Sequence, residues 1–310
     1  MLRQVAEHLR KMLTSFSEQD SLLFNNKMIK LQKENFAPIQ ETSTDKSVAF
    51  IDGGQAEIVS AGNFCLSFIR VAALVFVNNK KIKDYKHEFY LLTTARYNNQ
   101  DLLYESKIFG DRLFDEQDLL ISSQDSSIKT GIERAPISRV SGAARRFAEL
   151  ALAKKSDADI IVLDGTLEAT FRNEEKYLDL PGQVCSVAKS SSLFTTSGNS
   201  PVVVLNRMGL PGCWSYFIED DSYFVKLHPW SKHVFRFMGH KEVLSLLIGN
   251  SKDALFLGYP YGLIAADRFA RVSNSERNNL RISFLLRKEN KEISEYLSAM
   301  NAHEILDSMG

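Results

Sequence analysis

Apolar positions in this chain follow a helical period in some segments and an alternating or continuous pattern in others. Leu2, Val5, Leu9, Met12 and Phe16 recur at helical spacing, which predicts an opening amphipathic helix. Its apolar stripe serves either the chain's own core or a dimer or partner contact. A largely polar segment, 32–46, leads into a short buried strand over Val48 to Ile51 that delivers Asp52 onto Gly53-Gly54. The stretch Phe64 to Val77 reads as a strand. Asn78-Asn79-Lys80-Lys81 then marks a turn into another strand around Glu88 to Thr94, giving a three-stranded antiparallel meander. Residues 98–128 are polar and mixed, and predict short helices and loops.

Val140, Ala144, Phe147, Ala148, Ala151 and Leu152 predict a helix between Ile137 and Lys154, followed directly by a strand over Asp159 to Asp164. Further strands are predicted around Val202 to Leu205, Cys213 to Ile218, Tyr223 to Leu227 and His233 to Met238. A short helix is expected near Glu242 to Ile248, and a longer one from Tyr261 to Val272 after Tyr259-Pro260. Arg281 to Leu286 reads as a strand and Glu292 to Met309 as a closing helix. There is no internal repeat and no low-complexity linker. Antiparallel strands, then a helix, then a central strand and more mixed elements predict a single α/β domain on one mixed sheet, spanning 47–310, with 1–46 as a helical extension.

Composition narrows the setting. The chain has 310 residues, 44% of them hydrophobic and 25% charged, enough for a large packed core. Basic and acidic residues both number 38, so the net charge is zero and any nucleic-acid surface must be a local groove on a neutral body. Cys65, Cys185 and Cys213 are odd in number and widely spaced, which argues against a disulfide framework or zinc site and for a reducing compartment. No basic-then-apolar leader pattern opens the chain, and the longest apolar runs, such as Val71 to Val77, are far too short to span a membrane. A soluble cytoplasmic protein is expected.

Candidate chemistry lies in two similar runs. Ser47-Val48-Ala49-Phe50-Ile51-Asp52-Gly53-Gly54 and Asp159-Ile160-Ile161-Val162-Leu163-Asp164-Gly165-Thr166 are both apolar strands ending in Asp-Gly. Either alone is an ordinary turn. Together they would bring two carboxylates to one sheet edge, as divalent-metal phosphodiester chemistry requires. Glu149, on the helix that precedes Asp164, would return a third carboxylate to that edge, or simply pair with Arg145 one turn earlier. Asp267 flanks the buried side of the Tyr261 helix and is a fourth, with Arg271 at i+4 as its structural alternative.

Among cations, Lys189 follows the apolar strand end Val187-Ala188 and, with Arg145, is a candidate phosphate contact. Lys226, His228, Trp230, Lys232, His233 and Arg236 interleave bases with an aromatic, as either a single-strand contact face or an exposed hairpin. None of the six histidines has metal-ligand spacing.

These residues resemble the NurA family of DNA-repair nucleases from about Val48 onward. The likeness rests on Phe50-Ile51-Asp52-Gly53-Gly54, the Glu149 helix, Ile161-Val162-Leu163-Asp164-Gly165-Thr166-Leu167, Val187-Ala188-Lys189, Tyr259-Pro260-Tyr261 leading to Asp267, and the terminal Ala302-His303-Glu304-Ile305-Leu306-Asp307. The resemblance implies a ribonuclease H-like core with extra helices, a homodimer, and Mn²⁺- or Mg²⁺-dependent cleavage of DNA. It also implies exonuclease and single-strand endonuclease activity in double-strand break resection, beside a HerA-type hexameric ATPase. Asp52, Glu149, Asp164 and Asp267 become the catalytic metal ligands by that likeness, for two metals per site. A non-catalytic scaffold partner of such an ATPase is the alternative reading. A dimer seal is expected from the opening helix and from Ile293, Leu297, Met300, Ile305 and Leu306 of the closing one.

Overall fold

The computed structural model describes residues 1–14, 20–25, 27–189 and 193–300. The opening helix forms as expected, α1 (Leu2–Thr14), but Leu2, Val5 and Leu9 are 86%, 52% and 45% exposed, so these three positions are not covered by the described residues. Phe16 lies outside the described residues. The described residues after it hold no further α-helix before the first long strand, only a 3-10 turn at Lys33–Asn35. A hairpin, β1 (Ser21–Phe24) and β2 (Lys27–Lys30), precedes a short edge strand β3 (Phe36–Pro38). Leu22, Phe24 and Phe36 bury themselves against Trp214 and Tyr216, with Phe36 edge-on to the Trp214 ring at 4.9 Å. Among the described residues, the α-helical character expected for 1–46 is confined to α1.

Four long strands follow: β4 (Val48–Ala61), β5 (Phe64–Val77), β6 (Lys80–Asn98) and β7 (Asp101–Gly110), with a two-residue β8 (Ile121–Ser122). Asn78 and Asn79 take positive φ angles of 50° and 59°, the conformation a tight hairpin with matching twist demands. The strand β7 was hidden in sequence because one of its three inward residues is Ser106, whose hydroxyl is satisfied by Thr93 at 3.0 Å inside the core. The meander thus has more than the three strands expected.

Helix α2 (Val140–Lys154) leads to β9 (Ile160–Asp164), then a short α3 (Glu175–Leu178) and β10 (Gln183–Ala188). Next comes α4 (Pro201–Met208), where a strand was expected. Pro201 at its first turn fixes helical φ, and Val204 and Leu205 bury while Val203 faces out, a helical division that the β-branched run concealed. After it come β11 (Trp214–Glu219), β12 (Ser222–Lys226), β13 (Phe235–Gly239), α5 (Val243–Asn250) and α6 (Tyr261–Ala270). The strand expected at Arg281 to Leu286 is instead the end of α7 (Asn274–Leu285), whose start is capped by the Ser273 hydroxyl accepting from Glu276 N at 3.1 Å. The closing helix α8 (Lys291–Met300) packs Leu297 and Ile293 on the core. Packed in this way, those two residues are not spare surface for a dimer seal. Ile305, Leu306 and the rest of 301–310, together with the Met300 side chain, fall outside the described positions.

One sheet of eleven strands runs β3-β11-β12-β13-β10-β9-β4-β5-β6-β7-β8. Among the described residues only β4–β9 and β9–β10 pair in parallel, and the connection through α2 is the crossover that a parallel pair needs. The central strands are covered on both faces. Ile51, Ile161 and Leu163 pack under Ala144, Phe147 and Ala148 of α2. Phe50, Ile160 and Val162 pack under Leu244 and Leu247 of α5 and Leu263 and Ala266 of α6. All three cysteines are free, and no described helix is long and apolar enough to cross a membrane.

Candidate functional site: an acid cluster on two parallel strands

Register decides the first pair of acids. Ile51 lies opposite Leu163 in the parallel β4–β9 ladder, so Asp52 and Asp164 sit at the next step of both strands and face the same way. The β4 strand does not end there. Gly53 and Gly54 lie within it, and their value is close approach rather than a sharp turn. A Cβ on Gly54 would lie 2.3 Å from the Ala270 carbonyl at the end of α6, and one on Gly53 would lie 2.6 Å from Glu149 Oε1. The glycine pair thus lets helices from both sheet faces close on the aspartates.

Asp52 is 3% exposed. Its Oδ1 accepts the Gly53 N–H at 2.7 Å and lies 3.9 Å from Arg145 Nη1, but its Oδ2 is buried with no hydrogen-bond partner. Burial, reinforced by the charges of Asp164 and Glu149, pushes the Asp52 carboxyl up to about 8. Glu149 is also buried, and burial raises it despite Arg145 at 3.0 Å and Arg146 at 3.8 Å. The Arg145–Glu149 pair read as an ordinary helix-surface alternative is real, but it is half-buried and reaches further: Arg145 Nη1 also donates to the Gly53 carbonyl at 3.0 Å. Behind it, Arg146 donates to Glu174 at 2.8 Å and to the Thr166 carbonyl, tying α2 to the loop that follows Asp164.

Lys189 emerges from β10 with Nζ 2.8 Å from Asp164 Oδ2. Burial works against its charge, yet the hydrogen bond and charge of Asp164, with Asp52 and Asp267, hold it above the usual lysine range. The Tyr259 hydroxyl donates to Asp164 Oδ1 at 2.8 Å, and burial together with Asp164 drives this phenol well above its ordinary range. Tyr259 stood in the sequence only as a motif residue before Pro260; its role becomes visible once α6 is docked. The Tyr259→Phe protein is expected to fold normally and to lose about tenfold in divalent-cation affinity, since a hydrogen bond to a charged partner contributes about 1.5–3 kcal/mol. Calorimetric titration with Mn²⁺ checks this, and unchanged affinity contradicts it.

Asp267 pairs with Arg271 at 2.5 Å, the i+4 alternative noted in sequence, while its charge still acts on Arg145, Lys189 and Tyr259. The fold therefore brings all four acids into one electrostatic neighbourhood. Among the described residues, no three His, Cys, Asp or Glu side chains are grouped closely enough to hold a metal ion as they stand. The donor set nonetheless fits a hard divalent ion. It offers carboxylate oxygens, one of them buried and unpartnered, on a group whose ionisation burial and the neighbouring acids oppose until a cation is bound.

The remaining cations divide. Lys189, Lys232 and His233 line a cleft of about 800 Å³ that opens beside Asp267 and Tyr259. Lys226 instead donates to Asn206 at 3.3 Å. The His228 Nδ1 accepts the Trp230 N–H, and Trp230 stands exposed; none of these three lines the cleft. Arg236 is buried in a two-bond pairing with Glu168.

A family model described as the NurA domain matches residues 46–203, just over half of the chain. A crystal structure of the NurA nuclease from Sulfolobus solfataricus is similar, with a TM-score of 0.53 and 13% identity over 94% of each chain. A second NurA crystal structure scores 0.47 at 8% identity, covering 84% of this chain and 92% of that one. Endonuclease V from Ciona intestinalis, solved with DNA, scores 0.37 at 15% identity over 75% of this chain and 90% of its own. The last two scores are too low to carry argument. No curated protein matches the sequence. The sheet topology and the Sulfolobus likeness identify the fold as ribonuclease H-like.

Proposed function

The chain belongs to the NurA family of nucleases, and from that premise we propose that it is a divalent-metal-dependent DNA nuclease with Asp52, Glu149, Asp164 and Asp267 as its ligands. The observation that carries this is the buried, unpartnered Oδ2 of Asp52 in register with Asp164. A carboxylate oxygen left without a donor inside a protein costs stability unless something binds it. Mn²⁺ or Mg²⁺, two per site, would supply an activated water and neutralise charge on the phosphate and the leaving 3′ oxygen.

The chain's own residues prepare that chemistry. Tyr259 fixes one oxygen of Asp164 and leaves the other to Lys189. Lys189 is half-exposed, and on substrate entry its ammonium transfers from Asp164 to a non-bridging phosphate oxygen. Arg145 and Arg146 keep Glu149 oriented against Gly53.

The family further supports exonuclease and single-strand endonuclease activity, end resection beside a HerA-type ATPase, and a homodimer. The exposed stripe of α1 supports a contact with a second copy. The unit at work is one domain, in which β3 of the N-terminal segment forms an edge of the same sheet. Three free cysteines support the cytoplasm as its compartment.

Purified protein with Mn²⁺ is expected to degrade linear DNA, and Asp164→Asn to abolish this. Retention of full activity by that variant would refute the assignment. Absence of both cleavage and Mn²⁺ binding in the wild type would instead favour the scaffold reading.

A further inference from the structure

The cleft beside the acids has an unusual lining for a neutral chain. Five cations, Lys189, Arg207, Lys232, Arg268 and Arg271, face it against one carboxylate, Asp267, among the described residues. Arg271 is committed to Asp267 and Lys189 to Asp164, but neither Lys232 nor Arg268 has a carboxylate partner among those residues. Such a concentration of like charge within one concavity is self-repulsive, and an incoming polyanion relieves it.

The second feature is aromatic. Phe256 is 40% exposed and stacks on the His233 ring at 4.9 Å and 28°, and both residues line the cleft. Its neighbour Leu255 and Val203 on the α4 side are exposed as well. Phosphate recognition needs no such surface. An open ring beside unpaired cations suits a ligand that carries both phosphates and free base faces. A duplex keeps its base faces stacked inside, so it meets the cations only.

Resting on the nuclease reading above, we propose that this cleft is the path of an unpaired DNA strand on one side of the scissile phosphate, with a base stacked on the Phe256–His233 pair. Lys232 and Arg268 hold the backbone that flanks that base. Lys189, Tyr259 and Asp267 belong to both cleft and acid cluster, so a strand lying here reaches the cluster without a gap. The substrate entering the site is then single-stranded at this point even when it arrives as a duplex end.

The test is fluorescence anisotropy in EDTA, where no cleavage occurs, with a fluorescein-labelled oligo-dT and a blunt duplex. Phe256→Ala is expected to weaken single-strand binding about tenfold, in keeping with the loss of one stacked base, and to leave duplex binding within about twofold. Phe256→Leu, which keeps the cleft filled, is expected to do the same. Lys232→Ala and Arg268→Ala are expected to weaken both ligands and each to lower the salt slope by about one. Unchanged oligo-dT binding by both Phe256 variants, or equal loss on strand and duplex, overturns the proposal. Tighter binding of oligo-U than oligo-dT would overturn the assignment to DNA. The nuclease reading is tested separately by Mn²⁺-dependent cleavage: a selective Phe256 effect without any cleavage would leave the cleft standing and remove the nuclease.

Discussion

Asp52→Asn is expected to lose cleavage by roughly a thousandfold, the scale of several kcal/mol of metal-derived transition-state stabilisation, while becoming more stable than wild type when no metal is present. Both effects have one cause. Asp52 is held where its charge is unfavourable, because burial and the neighbouring carboxylates oppose ionisation. Its folded carboxyl titrates at about 8, against an unfolded value near 4. Between those two pH values the folded protein carries a proton that the unfolded chain has lost. Stability therefore falls as pH rises through this window. Asparagine has no charge to acquire, so this contribution to the fall is absent from the variant.

Thermal melts in EDTA from pH 5 to 9 check this. The wild-type Tm should drop toward high pH relative to Asp52→Asn, and Mn²⁺ should restore the wild type far more than the variant. A variant less stable than wild type at pH 8.5 in EDTA would show that Asp52 is held by favourable contacts and is not poised for a cation.

Gly262→Ala is expected to cost about 2–3 kcal/mol of stability, as overpacking in a closed core does, and with it most of the activity. Gly262 is the second residue of α6. A Cβ there would lie 2.1 Å from Cδ2 of Phe50 and 2.3 Å from Cγ. The ring has no room to yield: it is buried and edge-on to Phe76 at 5.5 Å. The helix is also pinned, since the Gly262 N–H donates to Asn250 Oδ1 at 2.8 Å. Relief therefore moves α6 away from β4, and Tyr259 and Asp267 move with it.

Urea denaturation gives the stability loss. Phe50→Leu should recover part of it, so that the double variant is less destabilised than the sum of the two. Additive losses, or a Gly262→Ala protein as stable as wild type, would mean that α6 is not seated against Phe50.

Much of the molecule followed from local pattern. The β5 strand, the Asn78-Asn79 turn, the helix carrying Glu149 and the Asp164 strand lie where periodicity puts them, because each has one dominant local signal. Errors arose where two signals competed. Val202-Val203-Val204 has strand propensity, but Pro201 at the first turn and burial on one side select a helix. Leu280 and Phe284 belong to a helix face laid on the far half of the meander, a contact that no window of sequence contains. In β7 a polar Ser106 breaks the apolar alternation because its partner Thr93 comes from another strand.

The chain's local order was enough to place Asp52 and Asp164 on apolar strands and Glu149 on an intervening helix, since each position depends on neighbours a few residues away; that β4 runs on past Asp52 to Ala61 was not visible there. Tertiary packing settled which groups surround those acids. The parallel register of β4 and β9 aligns the two aspartates, and Gly53 and Gly54 admit helices from opposite faces. Docking of α6 brings Tyr259 to Asp164 across 95 residues. The same docking joins Lys189, Arg207, Lys232 and Phe256 around one cleft, although they come from separate segments between β10 and α6. Periodicity reports only whether a residue faces inward. What it meets there, and so its charge state and its ligand, depends on contacts between segments that the burial of both sheet faces brings together.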